Sequence, residues 1–151
     1  MANPIQHAET TLTRVHAHVQ PYMADLFYRV ANNYLLLLAA VFVTNMIGIP
    51  LLLRFVPIPL STVNIIGFSA MLLILVYGWR YLENRNHATA LFVLYIRYSR
   101  AKRDLEASLV LAKEGVLEND DTLYIQVDFL EETATGLLDA VEEQGLKAHS
   151  S

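Results

Sequence analysis

The sequence contains no cysteine among its 151 residues. The lack of thiols excludes a disulfide scaffold, a cysteine nucleophile, a zinc site built on thiolates and an iron–sulfur cluster held by cysteine. Charge is also scarce, because Asp, Glu, Lys and Arg together make up 17% of the chain, whereas soluble domains usually carry about 25%. Hydrophobic residues make up 54%, and this apolar composition excludes general disorder.

Motifs for catalysis or cofactor binding are missing as well. There is no phosphate-binding loop, no Gly-x-Gly-x-x-Gly and no Gly-x-Ser-x-Gly sequence. His16 and His18 would point about 200° apart on a helix, which is poor geometry for sharing a metal ion. No histidine lies in the long apolar stretches, where haem ligation between helices would need one. We therefore predict a protein that is not an enzyme and that holds no cofactor and no metal.

The charges that are present are segregated along the chain. Residues 1–103 contain nine Lys or Arg and three Asp or Glu, whereas residues 104–151 contain two and twelve. The acidic second part would repel phosphate groups, and the basic residues are few, so the sequence disfavours a nucleic-acid partner.

Two long stretches carry no charge at all. Residues 30–53 and residues 55–79 are separated only by Arg54. A membrane-spanning helix needs roughly 20 predominantly apolar residues, and a soluble chain of this size could not bury both stretches. Pro57 and Pro59 cannot continue a helix, and Pro50 weakens the end of the first stretch. The sequence therefore predicts an all-α integral membrane protein with a hairpin of two transmembrane helices within residues 30–82.

The basic residues predict the orientation of this hairpin. Two precede the first stretch and one lies in the turn, whereas six lie between the second stretch and residue 103: Arg80, Arg85, Arg97, Arg100, Lys102 and Arg103. Because Lys and Arg mark the side that is not translocated, both termini should face the cytoplasm at a bacterial inner membrane, or the matrix at a mitochondrial inner membrane. The aromatic residues fall at the same end. The predicted membrane-interface residues are Arg29, Tyr34, Tyr77, Trp79, Arg80, Tyr81 and Arg85.

Small and uncharged polar residues inside the stretches predict where the two helices pack. The set comprises Thr44, Asn45, Gly48, Asn64 and Gly67. Glycine lets helix backbones approach closely, and amides form hydrogen bonds between helices. Asn45 and Asn64 could bond to each other or to another subunit, and the alternative is that they line a pore. The absence of ionisable side chains argues against a proton-coupled transporter.

Helical stripes predict the rest of the fold. Residues 1–29 carry apolar residues at a 4-3 spacing, which indicates an amphipathic helix on the membrane surface, kinked or interrupted at Pro21. Residues 79–114 contain neither Gly nor Pro, so the second transmembrane helix could run straight into solvent, with Gly115 as its stop. Asn119, Asp120, Asp121 and Thr122 could cap the next helix. Two striped helices within residues 83–146 should pair antiparallel outside the membrane, and residues 147–151 should form a disordered tail.

The stripe predicted for the first of these two helices is Leu94, Tyr98, Ala101, Leu105, Ser108 and Ala112. For the second it is Leu123, Val127, Leu130, Ala134, Leu137 and Val141. Residues 123–129 also alternate as a strand would, but the helical pattern is longer.

One stretch is apolar on every side of a helix. It comprises Leu91, Phe92, Val93, Leu94, Tyr95 and Ile96. Such a helix must be covered all round, so we interpret it as a partner-binding segment, although a three-helix bundle could also cover it. The prediction is a non-catalytic accessory subunit of a larger membrane complex, of the respiratory, photosynthetic or ATP-synthase kind. Its partners would be membrane lipids and other subunits, or copies of itself. The alternative is a self-assembling pore-forming effector or holin-like protein.

Overall fold

The computed structural model describes residues 3–57, 59–117 and 121–146. Every regular element in those ranges is helical and none is a strand, which confirms the all-α prediction. The α-helices are α1 (Pro4–Val43), α2 (Ile49–Phe55), α3 (Leu60–Leu73), α4 (Trp79–Asn86), α5 (Ala88–Lys113) and α6 (Asp121–Glu143), with π-helical turns at Thr44–Gly48 and Ile74–Gly78. The predicted tail and the capping residues 119 and 120 lie outside the described residues.

The chain divides into two compact units. The three-helix unit comprises Met1–Phe27 and Thr89–Ser151, and the apolar unit comprises Tyr28–Ala88. The core of the three-helix unit consists of the predicted stripes. On α6 all six predicted stripe residues are buried, so the helical interpretation of residues 123–129 is confirmed. On α5 four predicted stripe residues are buried, namely Tyr98, Ala101, Leu105 and Ser108, whereas Leu94 and Ala112 are half-buried. Leu91 and Leu109, which lie outside the predicted stripe, are buried as well.

Contacts within the three-helix unit give the direction of its helices. As the residue number increases along α1, the residue number of its contact partner on α6 also increases, so these two helices run parallel. The residue number of its contact partner on α5 decreases instead, so α5 runs antiparallel to α1. The pairs are Arg14 with Glu131 and His7 with Tyr124 on α6, and Glu9 with Lys113 and Phe27 with Tyr95 on α5.

The first helix differs from the prediction for residues 1–29. α1 is a single helix that does not end at Pro21. Ala8, Val15, Val19 and Leu26 are buried, because α5 and α6 offer apolar stripes against which this face packs. A surface-lying amphipathic helix would leave that same face to the lipid.

A second difference lies at His87, where the predicted continuous helix over residues 79–114 is interrupted. α4 ends at Asn86 and α5 begins at Ala88, with His87 between them in a left-handed conformation (φ 48°, ψ 29°). The backbone N–H of His87 donates to the Glu83 carbonyl at 2.8 Å, and the side-chain oxygen of Asn86 accepts from the N–H of Ala88 at 3.3 Å. An asparagine oxygen in this position caps a new helix. Histidine is among the residues that tolerate positive φ, so the break needs neither Gly nor Pro.

The predicted stop at Gly115 is confirmed. α5 ends at Lys113, and Gly115 has φ 71°. The N–H of Val116 donates to the Leu111 carbonyl at 3.0 Å, and the N–H of Gly115 donates to the Ala112 carbonyl at 3.2 Å. These two bonds form the Schellman arrangement that ends a helix at a left-handed glycine.

Candidate functional site: the apolar unit

Two apolar helical segments dominate the surface of the chain. Pro4–Phe55 and Ser61–Asn86 are each long and apolar enough to cross a membrane, and in each only 6% of the most apolar window is buried within the chain. The core helix of a soluble protein would instead have most of its residues buried. Leu35, Phe42 and Phe68 are 60% or more exposed, so many side chains in the most apolar parts of these segments point away from the chain's own core.

Contacts join the two segments along their length in opposite sequence order. As the residue number rises on the first segment, the number of its contact partner falls on the second. The pairs are Asn33 with Asn86, Tyr34 with Trp79, Leu37 with Gly78, and Asn45 and Ile49 with Gly67.

A reciprocal pair of amides closes one end of this unit. The Asn33 amide nitrogen donates to the Asn86 side-chain oxygen at 3.1 Å, and the Asn86 amide nitrogen donates to the Asn33 oxygen at 2.8 Å. Asn33 is 2% exposed, so it has little access to water as a substitute partner. Because the Asn86 oxygen also caps α5 at Ala88, the pair fixes the point at which α4 ends. The sequence pattern does not single out Asn86, because its one signal is that asparagine can cap a helix.

Replacing Asn33 with Ala is expected to loosen the α4–α5 junction. The substitution leaves the Asn86 amide without its partner, and an unsatisfied buried polar group costs about 1–3 kcal/mol. Amide hydrogen exchange of residues 84–90, measured on detergent-solubilised protein, should therefore be faster, by the factor that corresponds to this loss of free energy. The neighbouring Asn32→Ala variant is the control, since Asn32 is outside the amide pair, and equal acceleration in both variants would contradict the role of the pair.

Two glycines mark close approaches between the segments. A Cβ atom added to Gly67 would lie 2.9 Å from Ile49 Cδ1 and 3.6 Å from Asn45 Oδ1. A Cβ atom added to Gly78 would lie 2.7 Å from Leu37 Cδ2. The structure therefore places Gly67, which the sequence singled out, opposite Asn45, and it adds Gly78 and Leu37, which the sequence did not single out.

Among the described residues, the other predicted packing residues form no hydrogen bond between the two segments. The Asn45 amide donates to the backbone carbonyl of Val41 in its own helix at 2.8 Å, and Asn64 is exposed. Thr44 and Gly48 begin and end a π-helical turn, and no atom of the second segment lies within 4 Å of a Cβ built on Gly48. This wider turn directly precedes Pro50, whose ring would clash with the carbonyl four residues earlier in a regular helix.

The predicted interface residues group at the end of the unit where Asn33 and Asn86 meet. The rings of Tyr34 and Trp79 are tilted, with centroids 5.5 Å apart. Tyr77 and Tyr81 are 67% and 65% exposed, and Arg80 and Arg85 are exposed on the same segment. Arg29 is half-buried. Amphipathic rings and basic side chains of this kind favour the headgroup layer of a bilayer.

The predicted partner-binding segment, residues 91–96, belongs to the three-helix unit. Leu91 is 1% exposed, whereas Val93 and Ile96 are 50% and 51% exposed. Phe92 and Tyr95 each contact Phe27 edge-to-face, with ring centroids 6.2 and 5.2 Å apart. The bundle thus covers part of the segment and leaves an apolar strip at Val93 and Ile96.

One titratable side chain of the three-helix unit, Tyr98, has a pKa that its surroundings shift. Burial, and then the neighbouring Tyr95 and Glu106, raise the pKa of Tyr98 to about 12, so its hydroxyl stays protonated at neutral pH. That hydroxyl lies 3.4 Å from His16 Nδ1. Within residues 3–57, 59–117 and 121–146, no three His, Asp or Glu side chains are close enough together to hold a metal ion.

Comparison with protein-family models, curated proteins and solved structures gave no significant match for this chain.

Proposed function

We propose that this chain is an integral membrane protein whose two apolar segments cross the bilayer as a helical hairpin. The proposal rests on the exposure of those segments. In each of them, only 6% of the most apolar window is buried. In water, such a surface would far exceed the few hundred square ångströms of contiguous apolar patch usual for a soluble monomer. In a bilayer the same side chains face lipid, and the helical backbone satisfies its own hydrogen bonds.

The length of the second segment agrees with this environment, and in the first segment the uncharged residues 30–53 are the part that would cross the membrane. At 1.5 Å per residue, the 26 residues of Ser61–Asn86 extend about 39 Å, and a hydrocarbon core is about 30 Å thick. The antiparallel order of the inter-segment contacts supports a hairpin. Tyr34, Trp79 and Arg80 lie at the end occupied by the N-terminus of the first stretch and the C-terminus of the second. Both termini therefore belong on the side that is not translocated.

Single cysteines test this topology cleanly, because the natural chain has none. A cysteine at Ser61 should react with an impermeant maleimide only from the translocated side of sealed vesicles. Cysteines at Thr13 and Glu114, both exposed, should react only from the opposite side. Labelling of all three from one side, or release of the protein by carbonate at high pH, would rule out the hairpin.

Within the membrane, we infer the role of a non-catalytic subunit that packs against other membrane subunits. Exposed Val93 and Ile96 leave apolar surface on the three-helix unit that a partner would cover. Exposed Asn64 offers an amide inside an otherwise apolar segment, and such amides bond between helices. Native electrophoresis after gentle solubilisation, with mass spectrometry of the band, should find the chain at a fixed ratio to unrelated chains.

A pore built from identical copies is the second candidate, and the exposure of Asn64 is the observation that favours it. In a pore the Asn64 amides would face the lumen, so Asn64→Leu should lower the conductance of liposomes containing the purified protein. Ser69→Leu is the matched control, because Ser69 is an exposed polar residue of the same helix and points about 140° away from Asn64 around the helix. Impermeable liposomes with the unaltered chain would exclude the pore.

A further inference from the structure

A groove separates α5 from α6 on the outside of the three-helix unit. It has a volume of about 610 Å³, and its walls include Leu94 and Arg97 of α5 and Phe129 and Gly136 of α6. Phe129 is 49% exposed and the nearby Ile125 is 68% exposed. A Cβ built on Gly136 would meet no atom of the described residues within 4 Å, so this wall of the groove is open to a second helix.

The charges around this groove have both signs. Arg97 and Arg100 lie on the α5 side, and Glu132 lies on the α6 side. In the part of the chain that the structure describes, none of these three side chains forms a salt bridge or a side-chain hydrogen bond. By contrast, Arg14 and Lys113 elsewhere on the unit pair with Glu131 and Glu9. The groove thus combines exposed apolar anchors with charges that no other described residue pairs with.

We propose that this groove is an interface with a second copy of the same chain. A two-fold interface brings the same patch from both subunits together, so the patch must complement itself. This patch meets that condition, since Glu132 of one copy can face Arg97 and Arg100 of the other, with the reciprocal contact on the far side of the axis. Gly136 allows close approach of the two α6 helices, and Phe129 and Ile125 supply apolar surface to bury.

An isolated anionic ligand fits the patch less well, because Glu132 would oppose its charge. A partner helix of uniform acidity faces the same opposition. The inference goes beyond the membrane-subunit role, because it concerns a surface outside the apolar unit. Vesicle labelling and carbonate extraction test the membrane role independently of this interface.

Disulfide crosslinking is the first test. Gly136→Cys, reconstituted at low protein-to-lipid ratio and oxidised with copper phenanthroline, should give a covalent dimer. Thr135→Cys is the matched control, because the adjacent residue points about 100° away around the helix and is also exposed. Equal crosslinking at the two positions, no dimer at either, or capture of an unrelated chain by Gly136→Cys would each overturn the proposal.

Complementary charge variants are the second test. Arg97→Glu/Arg100→Glu and Glu132→Arg should each dimerise about tenfold or more weakly than the unaltered chain, because like charges then meet across the axis. A mixture of the two variants carrying different tags should recover the dimer as a heterodimer, since both contacts are then between opposite charges. Undiminished dimerisation of the separate variants, or a mixture with no heterodimer, would show that this groove is not the interface.

Discussion

Replacing Leu130 with Ala is expected to lower the free energy of unfolding of the three-helix unit by about 2–5 kcal/mol. Leu130 is 0% exposed and lies on the buried stripe of α6. The substitution removes three carbon atoms from the core, and the cost contains both the lost transfer free energy and the cavity that remains. Amide hydrogen exchange across α6, measured on the solubilised full-length chain, reports this loss as faster exchange at the most protected amides.

The control for this prediction is Thr135→Ala on the same helix. Thr135 is exposed and lies outside the groove between α5 and α6, and a surface substitution of this kind usually changes stability by less than about 0.5 kcal/mol. Both variants place Ala in a helix, so any difference comes mainly from burial. If exchange in α6 rose equally in the two variants, the stripe would not be the core of this unit.

There is a physical reason why the spacing of apolar residues predicted the buried face of α6 correctly. Six apolar residues at a 4-3 spacing form one continuous face, and a helix with one such face gains stability only by burying it. The competing strand-like alternation at Leu123, Ile125, Val127 and Phe129 explains fewer positions, and two of those side chains are exposed in the helix. A long helical period therefore outweighs a short alternating one.

The sequence was less informative about the helix break at His87, because the residues around it are all compatible with a continuous helix. Nothing in the spacing of residues 79–114 indicates a break, because neither Gly nor Pro occurs there. The break at His87 depends on Asn86, which caps α5 and at the same time bonds to Asn33, 53 residues earlier. A local pattern cannot reveal a bond whose second partner is so distant in sequence.

The packing contacts of the apolar unit show the same limit. Gly67 was recognisable because small residues are typical of helix contacts in membranes, but the same rule also selected Gly48, which has no neighbour from the second segment within 4 Å. Gly78 was not predicted as a packing residue, because its close contact depends on Leu37 lying opposite it in the other segment. The residue type indicates that a close approach is possible, whereas the register between the segments decides where it occurs.

Enlarging Gly78 is expected to disrupt that register. In Gly78→Leu the new Cβ would lie 2.7 Å from Leu37 Cδ2, and Leu37 is only 6% exposed, so its side chain has little room to move away. Overpacking of this kind costs about 1–3 kcal/mol. Trp79 is the only tryptophan and its ring lies 5.5 Å from that of Tyr34. The emission and quenching of Trp79 in lipid nanodiscs should therefore change as the two segments separate.

Two further variants isolate the steric cause. Gly48→Leu makes the same chemical change beside a π-helical turn, but the nearest contact of its Cβ would be Thr44 Cγ2 at 4.0 Å, so the fluorescence of Trp79 should stay unchanged. The double variant Leu37→Ala/Gly78→Leu moves the bulk from one segment to the other and should recover much of the lost stability. Leucine has a higher helix propensity than glycine, and the gain is the same at both sites. Helix propensity therefore cannot explain a difference between Gly78→Leu and Gly48→Leu. If Gly78→Leu and Gly48→Leu behaved alike, or the double variant failed to recover, the contact between Leu37 and Gly78 would not be what sets the distance between the segments.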